Sequence, residues 1–357
     1  SFFSGMSRGQ MVLRGFQTAT VVAGLYLIER QLNNNAQAAE QDLAQTRRQH
    51  LVLASATYFD WLAQVERLGH LTALATASRQ QARAAELRQQ AGDLSRQDML
   101  RWQIEARRAE ADVPAAQAGV QRAALALRQI LRLPAPADGW VPAQGWPEAE
   151  GELLDPMRWS QRLSDWVAQR PAVMAAQQRA QAARQTLDLA LAQKKSDVTW
   201  GGSVDHYPGT STRLLELRLQ MPLQWNYSFE GEIARAQAQA TQSEDLLEQT
   251  RTQAQTELQA LYQDFASARA RWHAHRDEIL PKARQVLDQA ELAYQKGEVS
   301  LTDLLDARRT YHNTWLDGLS ARLDHAVAYA SLVLWSESEP QARQRLLAST
   351  PPAVERR

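Results

Sequence analysis

One stretch of this sequence occurs twice. Ala85–Leu100 reads AELRQQAGDLSRQDML, and Ala290–Leu305 reads AELAYQKGEVSLTDLL. The copies share Ala, Glu, Leu, Gln, Gly, Ser, Asp and Leu at matching places. Asp93/Glu298, Leu94/Val299 and Met99/Leu304 are conservative pairs. In each copy a glycine, Gly92 or Gly297, separates two helix-like segments, with Ser95 or Ser300 three residues on and Asp98 or Asp303 six residues on. The copies lie roughly two hundred residues apart, far beyond the about 20–50 of a solenoid repeat. The chain is therefore built from two halves.

The halves match beyond this motif. Ala39–Gln49, AEQDLAQTRRQ, lines up with Ser243–Gln253, SEDLLEQTRTQ, and Tyr58, Asp60 and Trp61 line up with Tyr262, Asp264 and Phe265. From Asn33 to Gly92 the chain is filled with good helix formers and no proline. About 60 such residues make a helix of roughly 90 Å, too long to fold back into a compact core, so a coiled-coil or helical-barrel wall is expected. Gly92 marks a turn. Ser95 is placed as N-cap of a second helix, and Asp98 falls in its first turn, where a carboxylate suits the helix dipole. That helix is expected to reach about Leu131, with a kink at Pro114. In the second half a long helix from Glu230 to Gln295 turns at Gly297, and Ser300 caps a helix to Trp335.

Between the halves, Leu133–Pro156 is rich in Pro and Gly and reads as an irregular connector. A short helix is expected from Pro156 to Gln169 and another from Pro171, where a proline at the first helical position costs little. Residues 11–29 read as a strand, with a buried helix start as the alternative. Asp197–His206 alternates, YPGTST is a turn, and Leu215–Trp225 is the clearest strand: Leu215, Leu217, Leu219, Met221, Leu223 and Trp225 share one face, and Glu216, Arg218, Gln220 and Gln224 the other. This pattern fits a strand on a soluble sheet or a barrel strand with an apolar outside and polar inside. Glu337 onward, with Pro340, Pro351 and Pro352, reads as a frayed polar tail.

Composition removes several functions. The 40 basic and 40 acidic residues balance, which argues against nucleic-acid binding. There is no cysteine, hence no thiolate chemistry or disulfide framework. No run of about 18 apolar residues signals a transmembrane helix. The seven histidines are scattered, and His273 and His275 fall on different helix faces. No P-loop, dinucleotide fingerprint or nucleophile elbow occurs, so neither an enzyme nor a cofactor is expected. What remains is a pair of carboxylates: Asp303 and Asp306, three apart, share a helix face. On a lone helix this is a solvated face; in a symmetric oligomer it becomes an acidic ring that selects cations.

The motif Tyr294–Ala307, YQKGEVSLTDLLDA, resembles the second-repeat hairpin of the TolC-like outer-membrane efflux family, and the resemblance extends over nearly the whole chain. RPAVMAAQQRAQAARQTLDLALAQKKSDVTWGGSVD, followed by MPLQW and GEIARAQAQA, is similar to the heavy-metal branch with CzcC- and CusC-like channels. The resemblance implies a mainly α protomer with a small β part, a homotrimer sharing one twelve-stranded β-barrel in outer-membrane lipid, and long helices forming a periplasmic tunnel. It implies a passive exit duct for a tripartite RND-type system, fed by an inner-membrane pump through a periplasmic adaptor that meets the tips at Gly92, Leu94, Ser95, Gly297, Val299 and Ser300. Asp303 and Asp306 occupy the places of the family's entrance aspartates, and Tyr294 and Asp98 those of residues that latch the entrance. Val299 stands where the best-known member has a gating Arg.

On that frame, residues 1–30 are a first-half strand region, 31–131 the first hairpin, 132–170 an equatorial connector, 171–196 a helix, 197–229 the second-half strand hairpin, 230–335 the second hairpin and 336–357 the tail. Only three strands are legible, so the first strand and a preceding helix are expected ahead of Ser1, along with any signal or lipid anchor. A soluble periplasmic coiled-coil adaptor or scaffold is the alternative, and an adaptor needs no lipid-facing strand.

Overall fold

The computed structural model describes residues 12–13, 23–133, 142, 145–148, 155–194, 199–207, 211–221 and 228–349. In chain order the elements are β1 (Val12–Leu13), α1 (Ala23–Gln90), α2 (Arg96–Leu131), α3 (Pro156–Ala168), α4 (Pro171–Ala192), β2 (Thr199–Tyr207), β3 (Ser211–Gln220) and α5 (Glu230–Ala274). A π-helical turn (His275–Ile279), α6 (Leu280–Lys296), α7 (Leu301–Ser336) and α8 (Glu339–Ser349) follow. No helix among the described residues is long and apolar enough to cross a membrane. The chain divides into two compact units, residues 1–44 with 168–253, and residues 45–167 with 254–357.

The first unit holds the sheet. Its order is β1-β2-β3, all antiparallel. β2 and β3 form a hairpin running from Thr199↔Gln220 to Tyr207↔Ser211, with an irregularity between Asp205 and Tyr207. β1 adds two residues, Val12↔Asp205 and Leu13↔Val204. In the same unit, α4 begins with Pro171 at a first-turn position and carries buried alanines at 175, 180, 182, 183 and 190; small side chains let helix backbones approach closely. Asn34 donates to Gln185 at 3.0 Å, and Arg184 pairs with Glu244 at 2.6 Å.

Two expectations change here. Residues 23–29 are helical, because this stretch of Leu, Tyr, Ile and Glu continues directly into a 68-residue helix that has already met its nucleation cost. The alternative helix start therefore holds, although Ile28 is exposed rather than buried. β3 ends at Gln220, and Leu223 and Trp225 lie outside the described residues. The number of strands among the described residues is three, as many as the sequence shows.

The second unit is a set of helical hairpins. Pro114 lies inside an unbroken α2. The long helix expected from Glu230 is instead interrupted by the π turn, for which Pro281 supplies a physical reason. A proline inside a helix cannot donate to the carbonyl four residues back and crowds it. The wider π turn just before it, closed by Leu280 N–H donating to the His275 carbonyl, gives that ring room.

Within this unit Phe59, Leu62, Ala63, Trp146, Leu319, Ala326 and Ala330 form one core cluster. Trp146, from the connector, stacks on Phe59 at 6.1 Å and donates its indole N–H to Glu66 at 2.9 Å. Arg322 lies over the Trp146 and Trp272 rings at 4.9 and 5.3 Å. The expected frayed tail is corrected: residues 339–349 form α8. Pro340 sits in its first turn, where no donor is missed. Ala342 is fully buried, Leu346 packs on the Phe59 cluster, and the Ser349 carbonyl accepts from Glu148 N–H at 2.6 Å.

Candidate functional site at the hairpin tips

The two copies of the motif fold into the same turn, bond for bond. Gly92 N–H donates to the Gln89 carbonyl at 3.1 Å and Asp93 N–H to the Arg88 carbonyl at 2.8 Å. Gly297 N–H donates to Tyr294 at 3.0 Å and Glu298 N–H to Ala293 at 2.9 Å. This pair of bonds is the Schellman ending, which requires a left-handed residue. Gly92 and Gly297 have φ of +84° and +76°, so only glycine fits without strain.

Each turn hands over to a capped helix. Asp98 N–H donates to Ser95 Oγ at 3.0 Å, and Ser95 Oγ donates to the Asp98 carboxylate at 2.8 Å. In the second copy the box is complete: Asp303 N–H donates to Ser300 Oγ at 3.3 Å, while the Asp303 carboxylate accepts from Ser300 N–H at 3.1 Å and Ser300 Oγ at 2.7 Å. Bonds from the Ser300 side chain first, then its backbone, hold the Asp303 carboxyl below the usual carboxylate range.

Under the turns, α1, α2, α6 and α7 share a core of Ala82, Ala85, Trp102, Ala106, Leu287, Leu301, Leu304 and Leu305. Leu94 packs against it from the first tip. Tyr294 does too, meeting Trp102 edge-on at 6.4 Å. Tyr294 is thus half-buried packing as well as a tip residue. Val299 is half-buried, whereas Gly92, Ser95, Gly297 and Ser300 are exposed. Asp303 and Asp306 both lie on the exposed side of α7, as their spacing requires, and Asp98 is half-buried.

Sequence reasoning missed the seam between α2 and α7. Arg101 donates to Thr302 Oγ1 at 2.9 Å and lies 3.7 Å from the Asp98 carboxylate. One turn further, Glu105 pairs with Arg309 and with Arg108, and Arg309 also reaches Asp306 at 3.9 Å. Arg308 pairs with Glu291 at 2.7 Å and lies over the Trp102 ring at 5.1 Å. So Asp98 and Asp306 are both joined, through arginines, to the opposite hairpin, while Asp303 is engaged in its own cap. The signal was faint: each of these arginines reads, in one dimension, as an ordinary solvated helix charge.

The profile of the outer membrane efflux protein family matches residues 163–335. The match, just under half of the chain, shows similarity to that family over this stretch. It takes in α4 to α7, with the second tip and both candidate gate aspartates. No curated protein sequence matches the chain.

Solved structures extend the likeness over the rest. VceC from Vibrio cholerae is similar at 17% identity and TM-score 0.68, over 90% of this chain and 78% of that one. The Campylobacter jejuni CmeC outer membrane channel is similar at 13% identity and TM-score 0.70, over 95% and 74%. CusC is similar at 18% identity and TM-score 0.66, over 90% and 76%. The fold is therefore that of an outer-membrane efflux channel protomer of TolC-like type in both halves, and neither family nor fold points to catalysis.

Proposed function

We propose that the chain is one of three identical protomers of a passive exit duct serving a tripartite RND-type efflux system, with heavy-metal cations as cargo. It sits in the bacterial outer membrane and extends into the periplasm, as an efflux channel. Its strands join those of two other copies in a shared twelve-stranded barrel in lipid. The tips at Gly92, Leu94, Ser95, Gly297, Val299 and Ser300 meet the periplasmic adaptor, and the inner-membrane pump supplies the energy. Asp303 and Asp306 from three copies ring the entrance and favour cations. Tyr294 and Asp98 hold that entrance shut.

The observation that carries this reading over a soluble coiled-coil adaptor is on β3. Leu217 and Leu219, on one strand face, are 78% and 75% exposed. Alternating outward leucines suit a lipid-facing barrel wall, and an adaptor has no use for them. The cargo class rests on the likeness of α4 and β2 to the heavy-metal branch. The test is a planar-bilayer recording of the detergent-extracted protein. Asp303→Ala combined with Asp306→Ala should weaken block by divalent cations. Unchanged block removes the two aspartates from the entrance, and a soluble monomer with no conductance sinks the duct itself.

A further inference from the structure

One pair of side chains in the second unit is used neither by the tips nor by the cores. His70 Nε2 on α1 stands 3.1 Å from His312 Nδ1 on α7. The ring planes differ by 9°, yet the centroids are 5.2 Å apart. Rings lying face over face would have their centres nearly as close as their nearest atoms. These rings therefore meet edge to edge, nearly in one plane, with two nitrogens facing along a common line. On the other side the Trp315 indole lies flat on His70, with centroids 3.8 Å apart and planes 6° apart. It fixes the imidazole plane and screens one face. Both histidines are half-buried, so solvent reaches them.

An imidazole lone pair lies in the ring plane, so facing edges direct two donors at one point between them. As found, one nitrogen carries a proton and the other accepts it. If the donor ring shifts its proton to its other nitrogen, both facing atoms present lone pairs and no proton is released. No group of three or more His, Cys, Asp or Glu is placed to hold a metal among the described residues. Two neutral nitrogens in line satisfy only an ion content with two ligands. That is a monovalent d10 cation, silver or copper(I), not zinc, which takes four. Two metal–nitrogen bonds of about 2 Å in line need the nitrogens about 4 Å apart, so the pair must open by about 1 Å, a movement within reach of side-chain torsions.

We propose that His70 and His312 form a two-coordinate site for a monovalent soft cation in the helical wall, roofed by Trp315. Binding adds one positive charge between α1 and α7, towards which Asp112 on α2 supplies a compensating field and Arg67 on α1 an opposing one. The site does not depend on what the duct carries, because it is read on the protein alone. The absence of cysteine helps, since no thiolate competes for the ion.

The test is silver titration of the full chain in detergent at neutral pH, followed by calorimetry and tryptophan fluorescence, with His312→Gln and His70→Gln in parallel. Circular dichroism checks that each variant is folded, and a variant that is not is replaced by the other. The wild type should bind one silver ion per protomer with quenching of Trp315, and Trp315→Phe should remove that quenching. Either glutamine variant should lose at least about tenfold in affinity, the cost of about 1.4 kcal/mol. Equal affinity in wild type and glutamine variants, as expected if methionines alone take silver, overturns the site. Zinc bound tighter than silver with the same dependence on His312 overturns the two-coordinate assignment.

Discussion

Arg101 shows how one side chain decides what a tip can do. It reaches Thr302 across the seam while staying 3.7 Å from Asp98 on its own helix. Both charged groups are partly exposed, at 41% and 32%, so the ion pair contributes only about 0–1 kcal/mol to stability. Its consequence lies in position. Under the proposed duct, Arg101→Ala should leave the thermal midpoint within a few degrees of wild type and raise the resting conductance in bilayers. A conductance equal to wild type would show that the seam does not hold the entrance.

His325 behaves differently because it is buried. Only 4% of it is exposed, and its Nε2 has no hydrogen-bond partner. Burial first, then His273, Arg269, Arg276 and Arg322, lowers its pKa from 6.5 to about 4. The unfolded chain takes up this proton near the ordinary value, and the folded chain resists until much lower pH. Stability at this residue is therefore full above about 6.5, declines as pH falls through the window, and levels below about 4. Urea unfolding at pH 7 and pH 4.5 should show a smaller loss for His325→Phe than for wild type. An equal loss would place the sensitivity elsewhere.

At the scale of the element, the two tips are near-copies with unequal caps. No atom lies within 4 Å of a Cβ built at Gly92 or Gly297, so an added methyl meets only backbone strain. Gly92→Ala and Gly297→Ala should each cost about 1–2 kcal/mol in denaturant unfolding. A cost above that range would reveal packing that the open surroundings do not show. Asp303→Ala breaks two bonds to its carboxylate, from the Ser300 backbone N–H and from Ser300 Oγ, against one from Ser95 Oγ to the Asp98 carboxylate. Caps contribute about 0.5–2 kcal/mol, and the cap's share of the loss should be larger for Asp303→Ala than for Asp98→Ala, measured by denaturant unfolding. Such a difference would make the second tip, which carries both candidate gate aspartates, the stiffer of the two.

For the whole molecule, the exposed face of β3 makes the strongest demand. A lone chain leaving Leu217, Leu219 and Met221 open to water would aggregate. In a barrel wall they face hydrocarbon instead. Under the proposed duct, Leu217→Arg and Leu219→Arg together should reduce assembly into detergent-resistant trimers, since a cationic side chain at the bilayer midplane costs about 2–4 kcal/mol. Unimpaired trimers, measured by light scattering after membrane extraction, would move this face out of the lipid.

What the sequence determined by itself was the local grammar. The duplication, the two Gly turns, the caps at Ser95 and Ser300 and the strand hairpin were all legible, because each depends on residues within a few positions and on backbone conformations open to few residue types. The start of α1 was misread, because an apolar stretch of that length carries no period that separates strand from helix, and the adjoining 68-residue helix settles it. The tail was misread because Ala342 and Leu346 gain order only from the Phe59 and Trp146 cluster, formed by residues far away in the chain. The same holds at the candidate site. Asp303 and Asp306 could be picked out by spacing, but only the packing of α2 against α7 brings Arg101 to Thr302 and Arg309 to Glu105. His70 and His312 face each other only across two helices more than two hundred residues apart in the chain. Contacts at that separation depend on how helices dock, and no period or motif in a single sequence encodes the docking.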